Sequence, residues 1–121
     1  MVTYFLDSYA IMEMIKGNKA YEPYLHAEFI TTIMNLYEIY YNLLKVSGEE
    51  EAHQRFMDFR ELAVEVCDEH IFLASKFRMK HTTKDVSYID SLGYAIARLN
   101  KIQFLTGDKA FEHMENVAFV K

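Results

Sequence analysis

A chain of 121 residues is long enough to bury one sizeable core and too short for two. About half of it is hydrophobic (51%) and 26% is charged, which excludes a disordered chain, and no apolar run approaches the roughly 20 residues of a membrane span. A formal net charge of −5 argues against a protein that grips nucleic acid through a broadly basic surface.

Cys67 is the single cysteine, so an internal disulfide or a thiolate zinc cluster is ruled out, and the five histidines show no HxxxH spacing. Residues 2–6 follow Met1 with no basic region ahead of an apolar one, so no secretory signal is expected and a cytoplasmic location is.

The first predicted element is a strand at residues 2–6 (VTYFL), apolar and β-rich as a strand buried on both faces should be. A helix is predicted from Asp7-Ser8 to about Lys16, ended by Gly17, and a second, short one over 21–27. Residues 28–31 read as a strand feeding a long helix from Thr32 to Ser47, closed by Gly48. A further helix runs from Glu49 to about Leu62, and 64–67 is a third strand candidate, followed by a helix over 68–80. Ser87 starts a helix to Asn100, and 103–106 and 117–120 supply two last strands. Strands alternating with helices of this length predict a single α/β domain over residues 1–121, a three-layer α/β/α sandwich with a mainly parallel, roughly five-stranded sheet.

Four acids interrupt these apolar segments. Asp7 closes the first strand, Glu38 lies inside the apolar stretch 33–44, Asp90 sits in the helix after Ser87, and Asp108 follows the strand 103–106. Carboxylates are rarely buried unless paired or holding a cation, so four of them punctuating buried elements suggest a common centre. Hard oxygen ligands of this kind suit Mg²⁺ or Mn²⁺. In a parallel sheet the place for such a centre is beyond the carboxyl ends of the strands, where strand order reverses.

Each acid also has a simpler reading. Asp7 precedes a helix and is placed to cap it. Ser87-x-x-Asp90 matches a capping box, and Asp108 precedes a turn that it would cap. Glu38 is too deep in its helix to cap anything. With Thr31, Asn35 and Asn42 it forms one narrow polar stripe, which faces either water or a polar cavity.

Taken together, these segments resemble the PIN domains, and among them the small VapC-type toxins. The segments are Phe5-Leu6-Asp7-Ser8-Tyr9-Ala10, Thr31-Thr32-Ile33-Met34-Asn35-Leu36-Tyr37-Glu38, Ser87-Tyr88-Ile89-Asp90-Ser91-Leu92-Gly93-Tyr94-Ala95-Ile96-Ala97 and Leu105-Thr106-Gly107-Asp108-Lys109-Ala110-Phe111. Ser91 and Gly93 stand where alanine or leucine is commoner in the family, a departure that bears on packing more than chemistry. The resemblance implies a divalent-metal-dependent endoribonuclease in which Asp7, Glu38, Asp90 and Asp108 bind Mg²⁺ or Mn²⁺, directly or through water. RNA hydrolysis would then leave 5′-phosphate and 3′-hydroxyl ends, with Ser8 and Thr106 holding carboxylates or a phosphate oxygen. It also implies an antitoxin partner and a homodimer.

Two other readings remain open: a PIN-like scaffold without catalysis, and a nuclease of RNA processing. Lys84, Arg98, Lys101 and Lys109 lie near the motifs, and Lys76, Arg78, Lys80 and His81 lie in a last helical turn, but basic residues at helix C-termini also have an electrostatic role there, so none is assigned to RNA. The aromatic and Met surplus of the first two helices, among them Tyr9, Met12, Tyr21 and Tyr24, belongs either to the core or to a groove for an amphipathic antitoxin segment.

Overall fold

The computed structural model describes residues 2–121. Four parallel strands form one sheet in the order β2-β1-β3-β4: β1 (Thr3–Leu6), β2 (Glu28–Ile30), β3 (Gln103–Thr106) and β4 (Val117–Phe119). The helices are α1 (Ser8–Lys16), α2 (Ile33–Ser47), α3 (Glu49–Phe59), α4 (Asp68–Lys80) and α5 (Tyr88–Leu99).

Side chains alternate across a strand, and here the alternation sorts the core into two halves. Leu6 and Leu105 pack with Ala10, Ile11, Leu36 and Ile39, whereas their neighbours Phe5 and Phe104 pack with Tyr94, Ile96, Ala97 and Phe111. The sheet therefore lies between a layer built from α1, α2 and α3 and another built mainly from α5. This is the expected α/β/α sandwich, with four strands rather than roughly five.

The missing strand is residues 64–67. The chain touches the sheet edge at one place only, where Thr31 bridges Ala63: Thr31 N–H donates to the Leu62 carbonyl and Val64 N–H to the Thr31 carbonyl. Glu65, Val66 and Cys67 are then exposed, so no buried face holds the segment in a ladder, and it turns into α4. The short helix expected over 21–27 is instead a 3-10 turn at Lys19–Tyr24 that contains Pro23, with Asn18 accepting from the Ala20 N–H. Proline lacks the N–H that an α-helical ladder needs.

Strand order reverses at β1, which pairs with β2 on one side and β3 on the other. The carboxyl ends of β1 and β3 thus bound the switch-point crevice. Two close approaches set its walls. A Cβ on Gly93 would stand 2.6 Å from the Phe5 ring and 3.1 Å from Phe104, so α5 lies directly against the stacked pair Phe5–Phe104. A Cβ on Gly107 would run into the Tyr9 ring and the Val120 carbonyl, which fixes the turn that carries Asp108.

Most of the aromatic and Met surplus of the first two predicted helices packs into the core, Tyr9 excepted. Tyr21 is fully buried, and Met12, Met14, Ile15 and Tyr24 pack against the same cluster. α2 is buried along one face only, despite its apolar sequence: Asn35, Leu36, Ile39 and Leu43 are buried, while Tyr37 and Tyr41 are more than half exposed.

Candidate metal centre

Asp7 follows the last residue of β1, and its backbone N–H donates to the Leu105 carbonyl of β3 (3.1 Å), so the ladder itself places this side chain at the switch point. It stands at the N-cap position of α1 but makes no cap hydrogen bond. Its Oδ2 accepts instead from Thr106 Oγ1 at 2.6 Å, and its Oδ1 is buried with no partner among the described residues. The capping explanation fails for this residue.

Thr106 has a second bond. Its Oγ1 accepts from the Asp108 N–H (3.1 Å), so one hydroxyl at the end of β3 ties Asp7 to the turn that bears Asp108. Asp108 in turn caps the 3-10 turn Lys109–Phe111, its Oδ1 accepting from the Ala110 N–H at 3.0 Å.

Asp90 completes the capping box read from the sequence. The Ser87 N–H donates to Asp90 Oδ2 (3.1 Å) and the Asp90 N–H to Ser87 Oγ (3.0 Å). This leaves the other carboxylate oxygen for the cleft, and the box holds the side chain in a fixed position.

Glu38 is reached through a buried chain of polar contacts. Asn35 Nδ2 donates to Ser8 Oγ (3.0 Å), Thr32 Oγ1 donates to Asn35 Oδ1 (2.6 Å), and Thr31 Oγ1 donates to the Leu6 carbonyl (2.9 Å). These bonds fasten the start of α2 to the end of β1 and the start of α1. Glu38, one turn beyond Asn35, then presents a buried Oε1 that has no hydrogen-bond partner among the described residues. The stripe of Asn35, Glu38 and Asn42 thus faces inward: Asn35 is fully buried, and Glu38 and Asn42 line the cleft. Ser8 contacts Asn35 through its hydroxyl, so its part is to position α2.

All four acids line one open cleft of about 480 Å³, with Ser8, Tyr9, Asn42 and Ser87. Glu13, Asp85 and Lys16 also line it, so six carboxylates face one ammonium, and that ammonium is paired with Glu13 at 3.2 Å. Asp85 was not singled out in the sequence. It sits in a polar loop with no periodic signal, and only the tight turn before Ser87, where the Val86 N–H donates to the Lys84 carbonyl, brings it to this side.

The electrostatics follow from burial and crowding. Burial, then the charge on Asp90, pushes the Asp7 carboxyl up from 3.8 to about 8 despite the Thr106 hydrogen bond. Asp90 rises to about 6, again through burial first, with its two bonds to Ser87 opposing and the charges of Asp108 and Glu38 adding to the rise.

Among the described residues no three carboxylates, imidazoles or thiolates are drawn into a closed ligand set; the acids ring the cleft. The donor set nevertheless fits a hard divalent cation. Two buried carboxylate oxygens lack any partner among the described residues, every candidate ligand is oxygen, and an open site suits an ion that keeps several of its waters.

A PIN-domain profile matches residues 4–117, and this chain belongs to the PIN domain family. Among solved structures it is similar to a sarcin–ricin-loop-cleaving VapC toxin of Mycobacterium tuberculosis, with a TM-score of 0.79 and 18% identity over 98% of this chain and 99% of that one. It is also similar to a chain of a Rickettsia felis VapBC complex bound to a DNA fragment from its promoter (TM-score 0.78, 15% identity, 99% and 100% coverage). A third is a toxin–antitoxin complex from Klebsiella pneumoniae (TM-score 0.75, 14% identity, 95% of each chain). At these identities the likeness is one of fold. No curated protein matches the chain by sequence. Among the described residues no helix is long and apolar enough to cross a membrane.

Proposed function

We propose that this chain is a Mg²⁺- or Mn²⁺-dependent endoribonuclease, folded as one domain over its 121 residues and acting in the cytoplasm as the toxin of a type II toxin–antitoxin pair. The observation that carries the reading is the cleft itself, in which two buried carboxylate oxygens, Asp7 Oδ1 and Glu38 Oε1, lack partners among the described residues and stand beside Asp90 and Asp108. A carboxyl raised to about 8 is an unstable arrangement unless a cation repays the burial, and a scaffold would have no use for it. The toxin and antitoxin assignments rest on the fold shared with a VapC toxin and with chains of toxin–antitoxin complexes, and a homodimer is expected from the resemblance to VapC-type proteins.

Asp7, Glu38, Asp90 and Asp108 are the residues that would hold the ion, directly or through its waters. When bound, the ion supplies an activated water and offsets the charge that develops on the scissile phosphate. The remaining work is the chain's own. Thr106 holds the Asp7 carboxylate from one side and anchors the Asp108 backbone, while Ser87 fixes Asp90. Ser8 and Asn35 keep the Glu38 turn of α2 against α1.

The test is cleavage of mixed RNA with Mg²⁺ or Mn²⁺, with chelator, and with Asp90→Asn. Cutting that requires the ion and is lost in the variant supports the reading. Cutting that survives the chelator overturns it.

A further inference from the structure

Beyond the acidic cleft, on the other side of the segment that leads into α5, lies a surface of opposite charge. The segment turns at Asp85, where the Val86 N–H donates to the Lys84 carbonyl at 2.9 Å, and its side chains part company: Asp85 and Ser87 line the acidic cleft, whereas Lys84, Val86 and Tyr88, the first residue of α5, line a second cleft of about 500 Å³. That second cleft also contains Arg78 and no carboxylate. It adjoins a third, of about 930 Å³, with which it shares Met79, His81 and Lys84. The third adds Lys76, Lys80 and Arg98, against a single acid, Glu115, which is already paired with Arg98 at 3.1 Å. Five of the thirteen lysines and arginines of an acidic protein thus line two adjoining clefts, separated from the proposed centre by one stretch of backbone.

An aromatic ring stands at the entrance. Tyr88 is 77% exposed, and its ring carries the Arg78 guanidinium 3.9 Å from its centroid; Arg78 Nε is in turn held by the Val86 carbonyl at 3.3 Å. The C-terminal dipoles of α4 and α5 account for Arg78, Lys80 and Arg98, which lie in their last turns, but not for Lys76 or Lys84, nor for an exposed ring beside them.

Building on the nuclease reading, we infer that these two clefts form the track for a single-stranded RNA substrate, with Tyr88 and Arg78 as the stacking platform for a nucleotide flanking the cleaved bond. Six carboxylates around the centre repel every phosphate that a bound cation does not neutralise, so a strand reaching into that cleft must have its neighbouring phosphates neutralised outside it. The adjoining cations supply that charge. An exposed tyrosine backed by a guanidinium accepts the face of any unpaired base, which a duplex keeps stacked inside.

The experiment is fluorescence anisotropy with a fluorescein-labelled 12-nucleotide single-stranded RNA of mixed sequence, in chelator so that binding is read without cleavage. Tyr88→Ala is expected to weaken binding roughly tenfold, and Tyr88→Phe to stay within about twofold of the parent. The combined Arg78→Gln, Lys80→Gln and Lys84→Gln variant should lower the slope of log affinity against log salt by about 2, and Lys45→Gln, which lines neither cleft, should leave it unchanged. Circular dichroism checks that each variant is folded.

An unchanged slope in the triple variant, or parent affinity in folded Tyr88→Ala, overturns the track and leaves these clefts to another occupant, such as an acidic protein segment. The two readings fail separately. Parent protein that binds RNA in this pattern but never cuts it refutes the nuclease and keeps the track. Cutting with an unaltered KM in the cleft variants refutes the track and keeps the nuclease.

Discussion

Replacing Asp7 with Asn should make the metal-free protein more stable while abolishing cleavage. The parent buries a carboxyl that is 2% exposed, with one oxygen bonded to Thr106 and the other to nothing among the described residues. Asparagine keeps an oxygen to accept from Thr106 and brings N–H donors to the neighbouring carboxylates in place of a repelling charge. A tenfold difference in proton affinity is about 1.4 kcal/mol. A group that releases its proton at 3.8 in the unfolded chain and near 8 in the fold therefore withholds at most about 4 kcal/mol at pH 7. With relaxation and water entry the expected gain is about 2–4 kcal/mol, or roughly 10 °C in Tm.

The pH dependence has a definite sign. Below pH 4 both states hold the proton and parent and variant differ little. Between 4 and 8 the fold keeps a proton that the unfolded chain has released, so the parent loses stability as pH rises, and above 8 the gap levels off. Asp90, raised to about 6, adds a smaller loss of the same sign between 4 and 6. Thermal unfolding in chelator from pH 4 to 8.5 reads this directly, and added Mn²⁺ should then raise the Tm of the parent and not of the variant. A variant less stable than the parent at pH 8, or a gap that narrows as pH rises, would refute the reasoning.

Three further outcomes follow from the same contacts. Thr106→Val removes the donor to Asp7 and the acceptor for Asp108 N–H, and should lower cleavage 10–100-fold while costing about 1–3 kcal/mol, read by initial rates and denaturant unfolding. Asn35→Leu leaves the Ser8 and Thr32 hydroxyls without their buried partner; cleavage should fall with the Glu38 turn, and a loss of about 1–3 kcal/mol in urea unfolding is expected. Gly93→Ala drives a methyl group into the Phe5 ring, costing about 1–3 kcal/mol and shifting α5 with Asp90; Phe5→Leu in the same chain should recover part of the loss.

Much of the site was legible because its acids stand where local structure has least use for them. Asp7 and Asp108 follow strands that the sequence marks clearly, and Glu38 breaks an otherwise apolar helix, so the switch point of a parallel sheet was the one place to gather them. The capping readings divided: Asp90 and Asp108 cap as well as line the cleft, and Asp7 does not cap at all. Asp85 was illegible because its direction depends on a tight turn in a polar loop. Residues 64–67 misled because a β-branched apolar tetrapeptide reads as a strand whether or not a neighbouring edge exists to hold it, and here pairing stops at Ala63. The Met and aromatic surplus near the N-terminus signalled a core as well as a groove, and Met12, Met14, Ile15, Tyr21 and Tyr24 pack into the core beside Leu6, Ile11 and Leu105. The concentration of cations beside Tyr88 was hidden because Lys76 to Lys84 and Arg98 belong to different elements that only the tertiary fold brings together.

The central claim is that the acids around Asp7 direct a water molecule, and not the RNA's own 2′-hydroxyl, at the phosphodiester. The measurement is the chemistry of the ends left when the purified chain cuts RNA in Mn²⁺, with Asp7→Asn as control. Ends carrying 5′-phosphate and 3′-hydroxyl, absent with the variant, are the predicted result. Ends carrying 2′,3′-cyclic phosphate, or cutting that persists without Asp7, would contradict the account.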